Sequence, residues 1–159
     1  MAQIKSLRLA NFKSIGADVQ EIDFAPITLL FGPNSAGKST VLQALVFARE
    51  AILYGNLDPD TTDLGGDWLD LGGFENIVHD RNLDTAIKLG FTLKVSSSDI
   101  PDFTTEHETE SLEEYDLTQL EDLFAGLETI DVDMQIRWSA DRAKPYVERY
   151  SCKLDGELT

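Results

Sequence analysis

Ile27-Thr28-Leu29-Leu30-Phe31-Gly32-Pro33-Asn34-Ser35-Ala36-Gly37-Lys38-Ser39-Thr40 is the stretch on which the fold turns. From Gly32 to Ser39 it fits G-x-x-x-x-G-K-[ST], the phosphate-binding P-loop. Each position has a physical task. Gly32 and Gly37 permit backbone conformations that a side chain would obstruct. The loop through Pro33, Asn34, Ser35 and Ala36 then turns successive N–H groups into one concavity, an anion nest. A helix starting at the end of the loop adds unpaired N–H groups and its dipole. Lys38 brings a positive charge to the β- and γ-phosphates and is the candidate catalytic residue, the Ser39 hydroxyl is a Mg²⁺ ligand, and Thr40 reaches the α-phosphate. The expected ligands are therefore ATP and Mg²⁺.

Outward from the loop, the flanks have the required character. Residues 27–31 form a short apolar run between Pro26 and Gly32, which predicts a strand buried on both faces at the centre of an α/β sheet. Residues 39–53 read as a helix so apolar that burial on most sides is expected, ending at Gly55-Asn56. Upstream, residues 4–12 and 19–24 alternate as an antiparallel pair, the first with one slip, joined by a turn over 11–17. Downstream, residues 54–73 are a loop region in which Asp63-Leu64-Gly65-Gly66 and Asp70-Leu71-Gly72-Gly73 read as paired turns with a helix entry. One or two helical turns follow over 74–79. Residues 86–95, 130–138 and 147–154 then alternate as three strands of an antiparallel meander with one buried face, the last of them less regular.

The 159 residues suffice for one domain with a core. The net charge is −16, and it is unevenly placed: no Lys or Arg lies between Lys94 and Arg137, a stretch holding 13 of the 29 acidic residues. The remainder is nearly neutral. Residues 96–129 therefore read as an acidic insertion between two strands, with apolar spacing returning over 117–127. Such a surface repels phosphate backbones, so the chain has no general nucleic-acid footprint of its own. The lone Cys152 excludes an intrachain disulfide, and neither a signal peptide nor an apolar run of about 20 residues is present. The expectation is a cytoplasmic protein with no membrane partner.

Ile4-Lys5-Ser6-Leu7-Arg8-Leu9-Ala10-Asn11-Phe12-Lys13-Ser14, the second strand, the P-loop and Thr40-Val41-Leu42-Gln43-Ala44-Leu45 together resemble the opening of RecF/SMC-type ABC ATPase heads. Among them the sequence looks most like the OLD-type and related AAA-family ATPases of prokaryotic phage-defence systems. Asp70-Leu71-Gly72-Gly73-Phe74-Glu75-Asn76-Ile77-Val78-His79 is similar to a segment of those relatives. The resemblance is specific over 4–48, weaker over 69–95 and absent beyond. It implies an α/β P-loop NTPase fold, here the N-terminal part of an ABC-type head with an antiparallel β lobe. Residues 1–55 would be the nucleotide-binding part and 56–159 the lobe. It also implies that Lys13 and Ser14 contact the nucleotide, and that Asn34 meets the γ-phosphate or a facing subunit. The implied assembly is a homodimer sandwiching nucleotide between heads, coupled to DNA or to a nuclease or effector protein in defence or repair.

The sequence also departs from that pattern. No apolar strand ends in Asp-Glu, since Asp131 and Asp133 lie inside an alternating strand, and no Leu-Ser-x-Gly signature helix occurs. The chain reads as cut before its catalytic half, with Asp155-Gly156 a hairpin turn lacking its returning strand. His79 and His107 stand alone and read as structural or solvated, and Cys152 as a small core residue. Two rival functions fit the same P-loop: a nucleotide-binding dimerisation or scaffold module without turnover, and a P-loop phosphotransferase.

Overall fold

The computed structural model describes residues 3–34, 36–63, 68–96, 126–155 and 157–158. Its framework is a six-stranded antiparallel sheet in the order β2-β1-β5-β6-β7-β8. The strands are β1 (Gln3–Ala10), β2 (Gln20–Asp23), β5 (Ile87–Lys94), β6 (Thr129–Ser139), β7 (Lys144–Leu154) and the two-residue β8 (Glu157–Leu158). The N-terminal pair and the meander are thus one continuous sheet, because β1 pairs with β5 through Leu7↔Phe91 and Leu9↔Leu89. Period-two alternation sends Leu7, Leu9, Ile87, Leu89, Phe91, Val132, Met134 and Ile136 to one face, where all are buried. The other face carries Arg8, Thr92, Asp131 and Asp133, joined by Arg8 hydrogen bonds to Asp133 (3.2 Å), Thr92 (2.8 Å) and Asp131 (3.3 Å). Gly90 lies beneath this cluster, where an added Cβ would collide with the Asp133 carboxylate.

The irregularities of the sequence pattern have physical counterparts. The slip between Ile4 and Leu7 is a β-bulge, since Ile4 faces Leu93 and Ser6 faces Thr92. The weaker alternation of β7 comes from a second bulge, opposite the Gln135/Ile136 step. At the far end the Asp155 turn does reverse the chain, and β8 pairs back on β7 through Leu154↔Glu157.

Helix α1 (Lys38–Tyr54) covers the apolar face, and its C-terminus is closed by the left-handed Gly55, whose N–H bonds the Glu50 carbonyl. Val41, Ala44, Phe47 and Ala48 join the sheet residues in a single core, with Phe47 stacked on Phe12 at 6.2 Å. The expected burial on most sides does not hold: Leu42 is 57% and Ile52 43% exposed, so the helix is covered along one stripe. The region 54–73 contains a 3-10 turn (Pro59–Thr61) and a short hairpin of β3 (Thr62–Asp63) with β4 (Trp68–Leu69). The second Asp-Leu-Gly-Gly leads into α2 (Phe74–Ile77) as expected; residues 64–66 of the first copy lie outside the described residues. A 3-10 turn, His79–Arg81, follows.

The largest correction concerns residues 27–31. They form no strand, and Ile27, Leu29 and Phe31 are 82%, 70% and 85% exposed. A strand buried on both faces needs neighbours to take its backbone groups and cover its side chains. Among the described residues no strand pairs with this run. Leu30 alone packs against the core. The acidic insertion falls mostly on residues outside those described. Its ends meet, however: the Val95 N–H donates to the Glu128 carbonyl at 2.9 Å, and Leu127 is buried. No helix among the described residues is long and apolar enough to cross a membrane.

Candidate functional site: the P-loop cleft

The loop ends at Gly37, which takes a left-handed φ of 87° as the N-cap of α1. No side chain caps that end and no acidic residue occupies its first turn. The first intrahelical bond of the turn runs from the Val41 N–H to the Gly37 carbonyl at 3.2 Å. The N–H groups of Lys38, Ser39 and Thr40 thus lie in the helix's unpaired first turn, on its positive end. Gly32, at φ 152°, is so close to Ala36 that an added Cβ would sit 3.2 Å from the Ala36 Cβ. The Lys38 ammonium donates to the carbonyls of Gly32 (2.8 Å) and Pro33 (2.7 Å), folding back across its own loop. An arriving phosphate would compete with these two carbonyls for it.

A cleft of about 340 Å³ opens here, lined by Lys13, Ser14, Asn34, Gly37, Lys38, Ser39 and Thr40. The structure therefore gathers Lys13 and Ser14 with the loop, across 25 residues of sequence. Gly32, Pro33 and Ala36 shape the loop without lining the cleft, and Ser35 lies outside the described residues. Thr40 is buried, and its hydroxyl lies 3.3 Å from that of Ser14. Burial in the cleft pushes the Lys13 amine below its ordinary pKa. A larger cavity of about 550 Å³, between residues 55–60 and Trp138 with Lys144, has Asp58 and Asp60 on its wall. Those two carboxylates make that wall unsuited to a phosphate, whereas no carboxylate lines the smaller cleft.

Lys13 is held in place by a turn with two left-handed residues, Asn11 (φ 57°) and Lys13 itself (φ 51°). Asn11 is buried, its N–H bonds the Gly16 carbonyl at 2.8 Å and its side-chain amide donates to the Ala86 carbonyl at 2.9 Å. His79 meets the same turn: its Nδ1 lies 2.8 Å from the Lys13 carbonyl. A carbonyl only accepts, so Nδ1 carries the proton. Asn11 and His79 were not singled out as site residues by sequence reasoning. Their signal was the string ending at His79, whose Phe74, Ile77 and Val78 are all buried beside the turn. Asp131 and Asp133 are far from a metal-binding role, being bound to Arg8 on the opposite face of the sheet.

A family model described as an AAA domain matches residues 6–151. Over 48 residues the chain is 42% identical to the chromosome partition protein Smc of Synechococcus sp., a match covering 30% of this chain and 4% of that protein. The chain thus spans a small part of the length of this curated relative. A solved structure concerned with ATP-driven dimerization and DNA-stimulated activation of SMC ATPases superposes with a TM-score of 0.51 at 14% identity, over 98% of this chain and 71% of that one. The fold is therefore that of a P-loop NTPase head, an antiparallel sheet with its P-loop helix on one face.

Proposed function

The chain belongs to this AAA domain family, and from that premise we propose that it binds Mg·ATP in the P-loop cleft. The observation that carries the reading is the convergence of two lysines, three hydroxyl side chains and an uncapped helix start on one cleft. These residues fit the ligand: no carboxylate lines the cleft, and every polar side chain on it can donate, as a triphosphate requires. Lys38 takes the β- and γ-phosphates, Ser39 holds Mg²⁺, and Thr40 takes the α-phosphate. Ser35, Ala36 and Gly37 offer backbone N–H groups to the nest, Gly32 and the N–H-less Pro33 set the turn of the loop, and Asn34 faces the γ-phosphate or a second subunit. Lys13 and Ser14 close the cleft from the turn.

In the whole protein two such heads sandwich ATP and hydrolyse it, with the water-activating carboxylates and signature helix supplied outside these 159 residues. That cycle is coupled to DNA, or to a nuclease or effector partner in phage defence or repair, in the cytoplasm. For the chain by itself, binding without turnover is favoured, because its Asp131 and Asp133 are committed to Arg8.

One titration tests both statements. Fluorescent ATP with Mg²⁺ should bind the chain and fail to bind Lys38→Ala, with no steady-state phosphate release from either. Equal binding by the Lys38→Ala chain would remove the P-loop from the function. Lys38-dependent phosphate release would show that the catalytic set is already complete.

A further inference from the structure

The segment ending at His79 does not line the P-loop cleft, yet it grips the turn that does. Both backbone groups of Lys13 are held by it: the Lys13 N–H donates to the Ile77 carbonyl at 2.7 Å, and the Lys13 carbonyl accepts from His79 Nδ1 at 2.8 Å. The His79 N–H in turn donates to the Asn11 carbonyl at 3.1 Å, and Phe12 bridges Val78. The grip has a rigid base. Phe74, Ile77 and Val78 are 3%, 0% and 2% exposed, and Phe74 stacks on Trp138 of β6 at 5.8 Å.

Lys13 needs such a grip. A residue with a side chain at φ 51° occupies a sparsely populated backbone region and stays there only where its surroundings hold it. Holding the carbonyl fixes the Lys13–Ser14 peptide plane, and with it the direction in which both side chains leave. Ser14 then lies within 3.3 Å of the Thr40 hydroxyl, and Lys13 lines the cleft. The imidazole packs against Gly16 on its other side: a Cβ there would be 3.5 Å from Nε2.

We propose that His79 is a positioning residue for the nucleotide cleft, its Nδ1–H holding the Lys13 carbonyl so that Lys13 and Ser14 present to the phosphates. This rests on the reading of the cleft as an ATP site. His79 itself touches no ligand, and its effect runs through Lys13.

The test is a double-mutant cycle on Mg·ATP affinity, with the melting temperature of each variant measured alongside. His79→Ala should weaken binding about five- to tenfold, within the roughly two- to twelvefold that one hydrogen bond's net worth allows. In a Lys13→Ala background the same change should cost less than about twofold, as coupling through a shared residue demands. His79→Asn, whose amide N–H occupies the place of Nδ1–H, should bind as wild type; His79→Gln, whose amide falls at the place of Nε2, should not. If His79→Ala does not fold, the Asn and Gln pair carries the test. Wild-type affinity in His79→Gln, or an undiminished loss in the Lys13→Ala background, would overturn the proposal while Lys38-dependent binding upheld the ATP reading. Absence of Lys38-dependent binding in the wild type would overturn both.

Discussion

At the scale of single residues, Lys13 combines two features rarely found together, a left-handed backbone and an amine brought into a cleft where burial lowers its pKa. The two consequences for pH run in opposite directions. An amine whose folded pKa lies below its unfolded value binds fewer protons in the fold, so it costs stability at lower pH and that cost is relieved as pH rises through the folded pKa. Phosphate binding asks for the charged form, so its contribution to affinity is lost over the same rise. Wild-type Mg·ATP affinity should therefore begin to fall at a pH below the ordinary lysine range. Lys13→Met should bind more weakly at neutral pH and lack that alkaline decline. Titrations at several pH values check this, and an identical decline in Lys13→Met would remove Lys13 from the ligand's environment. The loop residues Gly32 to Thr40 could be proposed from the sequence because their spacing is itself the chemistry. His79 was not, because a side chain that holds a distant carbonyl leaves no local pattern; its contact joins residues 66 positions apart.

At the scale of elements, alternation located β1, β2, β5, β6 and β7 to within a few residues, and even the breaks in alternation proved to be real bulges. The pairing of β1 with β5 was not legible, since nothing local ties two strands nearly 80 residues apart. The same pairing logic defines what the acidic stretch between β5 and β6 must do. Lys94 faces Thr129 in register, and the Val95 N–H reaches the Glu128 carbonyl at 2.9 Å, so the chain leaves and re-enters the sheet at one point. Closing a shorter loop between hydrogen-bonded neighbours costs no additional entropy and can reduce it. Replacing residues 97–114 with a short Gly/Ser linker should therefore leave the melting temperature within about 4 °C of wild type, and Mg·ATP affinity within about twofold. A fall of more than about 8 °C, upwards of ~2 kcal/mol for a domain of this size, would place those residues in the core.

At the scale of the whole molecule, one region is inconsistent with a finished surface. Ile27 and Leu29 stand 82% and 70% exposed in the run that leads into the P-loop, and Phe31 is 85% exposed. The sequence reading of this run as a buried central strand judged its chemistry correctly and its surroundings wrongly. Five residues rich in Ile, Leu and Phe are suited to burial, but burial requires strands alongside, and among the described residues none is present. The reading proposed above supplies the missing cover from the catalytic half of the head. Its consequence for the 159-residue chain is measurable. Side chains already in water contribute little to the fold, so Ile27→Ser with Leu29→Ser should shift the melting temperature by no more than about 2 °C. The same apolar side chains, left uncovered, favour contact between copies. Sedimentation of the wild-type chain at rising concentration should thus show self-association that the double variant reduces, with or without Mg·ATP. A melting temperature lowered by more than about 8 °C would mean that the run is packed within the chain itself, and the cover would not be needed from outside.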